Sequence, residues 1–223
     1  QSSRMIEIQS HISARALELL SLPTTHPSLL LDVGCGTGLS GAVVQRMGHQ
    51  WVGCDISRNM LDNAASRFER GCDVLENDMG HGLPFRPGVF DGAISISALQ
   101  WLCYSNKRSH DPRRRLRQFF RTLYAGLARG GRAALQFYPE NPAQMEMITH
   151  AAMSCGFTGG LVVDYPNSTK AKKYYLVLFS GSAPGGKMPT GLTGEEGGGG
   201  RRFSHGKGGG GSVGYERRRQ GGG

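Results

Sequence analysis

The sequence predicts an α/β fold, a largely parallel seven-stranded sheet with helices on both faces. Three observations predict it. Leu29 to Asp55 reads as strand, glycine turn, helix and strand, the crossover unit of a parallel sheet. Short apolar runs then alternate with segments of helical spacing as far as Phe179. From Gly181 the pattern stops: eighteen of the last forty-three residues are Gly and almost none is large and apolar. Residues 1–180 are therefore expected to form one domain. The tail, 181–223, buries too little surface to offset its ordering entropy and is expected to be disordered.

Arg4 to Leu22 places Met5, Ile8, Ile12, Leu19 and Leu20 near helical spacing, with Pro23 as the expected stop. Such a helix either covers the mouth of a ligand site or simply packs on the sheet. Leu29–Val33 is almost wholly apolar, as a strand covered on both faces must be. Ala42, Val43, Arg46 and Met47 follow at helical spacing, and Gly48 ends them. The second strand ends at Asp55. Ser57 is an N-cap for a helix over Arg58 to Glu69, with Met60, Leu61, Ala64 and Phe68 as its apolar face. Asp73 to Glu76 is a short third strand and Phe90 to Ile96 the fourth, with a turn-rich connection at 82–88. Asp111 and Pro112 open a helix that buries Leu116, Phe119, Phe120, Leu123 and Leu127. An Arg-Gly-Gly turn leads into the fifth strand, Arg132 to Phe137. Pro142 to Cys155 is a helix stopped by Gly156. Leu161 to Asp164 and Tyr174 to Phe179 form a final antiparallel pair.

A crossover of this kind holds its ligand beyond the carboxyl ends of the strands. Gly34, Gly36 and Gly38 let the backbone turn tightly and approach that ligand. They do not by themselves identify it. Gly36-Thr-Gly-Leu-Ser-Gly41 also fits a dinucleotide fingerprint, with Asp55 at about the ~20-residue distance of a ribose carboxylate. Asp32 discriminates better. It lies at the strand end, where a dinucleotide would put an anionic pyrophosphate and S-adenosylmethionine a sulfonium and an ammonium. A carboxylate repels the first and favours the second. The pattern Asp-x-Gly-x-Gly-x-Gly thus favours the methyl donor. Asp55 is then the ribose ligand. Asp78 takes the adenine amine with Met79 packed on the ring; its bland alternative is a turn carboxylate. Ile56 and Ser95 are further candidate cofactor contacts.

Just past the fourth strand, Ser97 to Cys103 occupies the place of a methyl acceptor. Trp101 either stacks on a base there or packs against the sheet. Tyr138 and Glu140, past the fifth strand, lie on the same side. Lys107 to Arg121 holds seven basic residues against one Asp. Arg114, Arg117 and Arg121 form a solvent-facing stripe. That density exceeds what solubility needs and points to phosphate. The net charge of +9 divides into +5 before Gly181 and +4 after it, so both parts suit a polyanion. The five cysteines form no C-x-x-C pair and no zinc spacing, which fits a reducing compartment, cytosol or nucleus. No apolar run is long enough for a transmembrane helix. The chain begins inside a helical pattern without an initiator Met, so an N-terminal portion is expected ahead of it.

Four stretches carry a closer resemblance: LLLDVGCGTGLSG (29–41), NDMGHGLPFRPGVFDGAISISALQWLC (77–103), QFYPEN (136–141) and VVDYPNSTKAKKYYLVLFSG (162–181). The first is common to class I S-adenosylmethionine-dependent methyltransferases with their Rossmann-like sheet. The second and fourth are more specific. They resemble the eukaryotic small-subunit (18S) ribosomal RNA guanine-N7 methyltransferases. The resemblance covers roughly Ser3 to Gly181. It implies nuclear and nucleolar work on the pre-40S particle, extending to the cytoplasm. It also implies a heterodimer with a small zinc-binding methyltransferase activator protein. The tail departs from the family in being Gly-rich rather than rich in Lys and Arg.

Guanine N7 keeps a free lone pair at neutral pH, so this reading requires no general base. Trp101 or Tyr138 would stack a flipped guanine and Glu140 would accept from its Watson–Crick edge. Three rivals are a methyltransferase for tRNA, protein or a small molecule, an assembly factor that acts mainly by binding, and a NAD-dependent oxidoreductase.

Overall fold

The structure is a computed structural model that describes residues 3–68, 72–105, 110–181 and 188–193. Its elements run α1 (Ser3–Leu20), β1 (Leu29–Val33), α2 (Leu39–Arg46), β2 (Gln50–Asp55), α3 (Arg58–Arg67), β3 (Asp73–Glu76), β4 (Phe90–Ile96), α4 (Pro112–Gly126), β5 (Leu127–Phe137), α5 (Pro142–Ser154), β6 (Thr158–Asp164) and β7 (Lys173–Phe179). Two short 3-10 turns, Met79–His81 and Leu99–Cys103, follow β3 and β4.

The strands form one sheet in the order β3-β2-β1-β4-β5-β7-β6. Only β7 runs antiparallel to its neighbours, pairing with β5 and β6. Strand alternation sends neighbouring side chains to opposite faces. In β5, Ala133 and Leu135 join the core under α4 and α5, while Ala134 joins the core under α1, α2 and α3. Both faces are therefore apolar and both are covered. The chain order reverses between β1 and β4, and such a switch point opens a crevice at the carboxyl ends of the strands.

Local chemistry accounts for most element ends. Ser57 Oγ accepts from Met60 N at the start of α3. Asp111 accepts from the N–H groups of Arg113 and Arg114 ahead of Pro112, and Asn141 from that of Gln144. Four expectations need correction. Helix α1 stops at Leu20, because Ser21 turns to φ 48 and donates to the Glu18 carbonyl before Pro23 is reached. Helix α3 ends at Arg67, and Met60 is exposed rather than on its buried face. Phe68, just past that end, packs on Trp51 with ring centroids 5.5 Å apart. Strand β5 begins at Leu127, so the Arg-Gly-Gly turn is a bulge within it. Leu127 pairs with Phe90, Arg132 with Gly92, and the bulge is zipped to Ser180 by hydrogen bonds of 2.8 and 2.9 Å.

The fourth correction concerns the tail. Residues 188–193 lie along the edge of β6. Leu192 donates to Asp164 Oδ1 at 2.8 Å and accepts from Tyr165 N, while Arg15 reaches Thr190 O at 2.9 Å. Asp164 is almost fully buried and also takes Arg15 Nε at 3.0 Å. One buried carboxylate thus anchors α1 and the tail segment together, an arrangement that glycine content does not reveal. The remainder of the expected disordered tail, with Arg201, Arg202 and Arg217 to Arg219, lies outside the described residues.

Candidate cofactor and acceptor site

The turn after β1 sits at the switch point. Gly34 has φ 72, and a Cβ there would overlap the Ala98 side chain. Its N–H and that of Cys35 both reach the Cys54 carbonyl, at 2.8 and 3.1 Å, which pins the turn to β2. Gly36 has φ 52 and faces open space where a Cβ would stand. Its N–H donates to Asp55 Oδ2 at 2.9 Å, and Ser57 N donates to Asp55 Oδ1 at 2.9 Å. Two backbone donors therefore orient the Asp55 carboxylate at the mouth of β2, each oxygen keeping acceptor capacity for a hydroxyl. Gly38, also left-handed, caps α2. Ile56 is 65% exposed beside this cradle and offers an apolar surface to a ring.

Asp32 lies beneath the same turn and is completely buried. Ser40 Oγ donates to its Oδ2 at 2.5 Å, and Oδ1 has no partner among the described residues. Burial, with the charge of Asp55 adding to it, pushes the Asp32 carboxyl up to about 7 despite the Ser40 and Gly41 donors. An orphaned carboxylate oxygen beside an open glycine turn fits a cationic ligand acting through water or backbone, and opposes a pyrophosphate. The sign of its pH dependence follows. The folded value lies above the ordinary ~3.9. The cofactor-free protein should lose stability as pH rises from about 4 to about 7, where the folded state still holds the proton that the unfolded chain releases. A cationic ligand stabilises the ionised form, so its affinity should rise with pH up to about 7. Asp32→Asn is expected to flatten that rise, as measured by titration calorimetry between roughly pH 5.5 and 7.5.

Asp78 lies two residues past β3 and opens the Met79–His81 turn, where its Oδ1 accepts from Gly80 N at 2.9 Å. Arg115 of α4 grips the same carboxylate with Nη2 at 2.8 Å and Nη1 at 3.1 Å. Burial pushes this carboxyl up, but Arg115 and the Gly80 N–H outweigh it, so its net pKa is lowered. Met79 is half-buried against the core. Ser95 is fully buried and its Oγ donates to the Val33 carbonyl at 2.8 Å, which struts β4 to β1 just below the glycine turn.

Across the crevice, Trp101 is 61% exposed and touches Tyr104 at a centroid distance of 5.9 Å. Leu102 beside it is buried, so the pair divides its work between solvent and sheet. Tyr138 is also exposed, with Lys173 Nζ 5.8 Å above its ring. Burial pushes the Tyr138 phenol up, partly offset by Ser97 and Gln136 beside it, and it stays neutral at neutral pH. Glu140 sits on the rim, where Gln144 Nε2 donates to its Oε2 at 3.1 Å. That contact draws one oxygen towards the start of α5. Sequence reasoning missed the polar cluster beneath these rings. Ser97, at φ 58, donates to Gln136 Oε1 at 2.8 Å, and Gln100 Nε2 donates to Ser97 O at 2.8 Å. Gln136 reads in sequence as one residue of a strand, and only the left-handed turn at Ser97 closes the cluster.

A family model described as a methyltransferase domain matches residues 31–135. The mouse (Mus musculus) 18S rRNA (guanine-N(7))-methyltransferase is 60% identical over 193 residues, which is 86% of this chain and 68% of the mouse protein. The chain belongs to the 18S rRNA (guanine-N7)-methyltransferase family. Among solved structures, a Haemonchus contortus phosphoethanolamine N-methyltransferase in complex with S-adenosyl-L-methionine aligns with a TM-score of 0.57 at 16% identity, over 77% of this chain and 53% of that one. The methyltransferase in a complex with the Haloferax volcanii Trm112 methyltransferase activator aligns at 0.55 and 18% identity, over 80% of this chain and 92% of that one. Both share the class I fold.

Two further surfaces of this 18S rRNA methyltransferase family member have a defined place. Arg114, Arg117 and Arg121 lie exposed on α4, opposite Leu116, Phe119, Phe120 and Leu123 in the core. None of the three pairs with a carboxylate among the described residues. Lys107 and Arg108 of the same cluster lie outside the described residues. Among the described residues strand β3 is an edge of the sheet with no strand on its outer side, and its Val74 and Leu75 are half-exposed.

Proposed function

We propose that this chain transfers a methyl group from S-adenosylmethionine to N7 of a guanine in small-subunit ribosomal RNA, as part of pre-40S maturation in the nucleus and nucleolus. The observation that carries the reading is the buried, half-partnered Asp32 under an open glycine turn in a member of this family. S-adenosylmethionine supplies an electrophilic methyl group. Asp32 balances its positive charge, Asp55 receives the ribose hydroxyls, and Asp78, Met79 and Ile56 frame the adenine.

Guanine N7 holds an in-plane lone pair at neutral pH, so no proton has to leave it and no base is needed. The work left to the protein is alignment and exclusion of water. Exposed Trp101 and Tyr138 offer stacking faces for an extruded base. Glu140 keeps one oxygen free of Gln144 and would accept from the guanine Watson–Crick edge. The partner is a small zinc-binding activator that adds a strand to β3, completing a heterodimer. The basic stripe on α4 holds the RNA backbone, which a protein or small-molecule acceptor would not require.

The test is nucleoside analysis of small-subunit ribosomal RNA after incubation with the chain, its activator and labelled cofactor. Label in 7-methylguanosine is expected. Label in another nucleoside, or in added protein alone, would overturn the reading. The stripe has its own measurement. Replacing Arg114, Arg117 and Arg121 with Ala should lower the slope of log affinity against log salt by about 2 for single-stranded RNA, with cofactor affinity unchanged. An unaltered slope would make the stripe a solvated face.

A further inference from the structure

We infer that Arg115 is a positioning residue for recognition of the cofactor's adenine, a role that rests on the reading of Asp78 given above. The guanidinium leaves the basic helix and turns inward. Its side chain is only 11% exposed, and that of Asp78 only 15%. Nη2 meets Oδ1 at 2.8 Å and Nη1 meets Oδ2 at 3.1 Å, a bidentate fork that fixes the plane of the carboxylate. Gly80 N fills a further site on Oδ1 at 2.9 Å. A carboxylate offers about four acceptor positions. Three are thereby occupied. His81 Nδ1 stands 3.8 Å from Oδ2, beyond hydrogen-bond distance, so the position left on that oxygen suits a single exocyclic amine.

A second observation shows that the turn is built around this fork. A Cβ at Gly80 would overlap the Arg115 guanidinium carbon and nitrogens. The glycine is not there for its backbone, since its φ is not in the left-handed region. It is there because the guanidinium lies flat across it. Without Arg115, Asp78 keeps only the Gly80 N–H on Oδ1, the plane of its carboxylate is no longer fixed, and its other oxygen no longer faces one donor.

The probes are S-adenosylhomocysteine and S-inosylhomocysteine, which differ by an amine against an oxo group on the purine. Their dissociation constants are measured by calorimetry for the full chain, Arg115→Met and Gly80→Ala. Gly80→Ala displaces the guanidinium without removing any charged group, and it serves alone if Arg115→Met does not fold. The wild-type chain should prefer the adenosyl compound by about tenfold, the scale of one buried hydrogen bond. Both variants should reduce that preference to about twofold or less while keeping the thermal midpoint of a folded domain. Weaker binding of both compounds with the preference intact would give Arg115 a merely structural role and overturn the inference. A wild-type chain that binds both equally would overturn it too, by removing Asp78 from the adenine. That last result would leave methyl transfer to guanine untouched.

Discussion

Gly34→Ala is expected to abolish measurable cofactor binding while the domain stays folded. The added Cβ meets the Ala98 Cβ, and neither atom belongs to a flexible side chain that can move aside. Alanine at φ 72 also carries strain of about 1–3 kcal/mol. Relief requires the turn to lift from Cys54, whose carbonyl holds both Gly34 N and Cys35 N. The displaced turn takes the Gly36 N–H away from Asp55, and with it the orientation of the ribose carboxylate. Calorimetry with S-adenosylmethionine should show binding weakened more than about 100-fold, the consequence of losing two or more buried hydrogen bonds together. The thermal midpoint should fall by only a few degrees, because the core under the turn is unchanged. A wild-type affinity would place the cofactor elsewhere.

Val74→Pro is expected to abolish the proposed complex with a methyltransferase activator and leave the sheet intact. Asn77 N reaches inward to the Asp55 carbonyl at 2.9 Å. Backbone donors alternate along a strand, so the Val74 N–H points away from β2, to the free edge. Proline there removes a donor offered to a partner strand and none that β2 uses. An unpaired edge with apolar Val74 and Leu75 invites strand addition, and the charges of Asp73 and Glu76 protect it only in part. Co-purification with the activator should fall to background, and the chain alone should be poorly soluble. Because β3 leads directly into Asp78, cofactor affinity should rise when the activator binds the wild-type chain and not when it is mixed with the variant. A chain that is soluble, monomeric and fully active by itself would contradict this account.

What the sequence made legible follows from how local each signal is. Strands β1, β3 and β4 were readable to the residue because each is a short apolar or alternating run bounded by Gly, Pro or charge. The caps at Ser57 and Asp111 act within three residues of themselves. The glycine turn, Asp32 and Asp55 lie within one crossover, so their meeting is a property of that unit. What stayed hidden depends on residues far apart in the chain. Arg115 meets Asp78 across thirty-seven positions, and nothing at either end announces the other. Arg15, Asp164 and Thr190 come together from both ends of the domain. Ser95 stands near the end of a strand, but its bond to the Val33 carbonyl is a fact of pairing with β1 that position in the sequence does not reveal. The bulge in β5 has the sequence of a turn, since glycines mark both and only the hydrogen bonds to Ser180 distinguish them.

The central claim is guanine-N7 methylation of small-subunit ribosomal RNA through the Asp32–Gly34–Asp55 cradle. The most direct test maps 7-methylguanosine along that RNA in cells with the wild-type chain, without it, and with only Gly34→Ala. The account predicts that one guanine loses its methyl group when the chain is absent, that the wild-type chain restores it, and that Gly34→Ala does not. An unchanged methylation map in cells without the chain would contradict it.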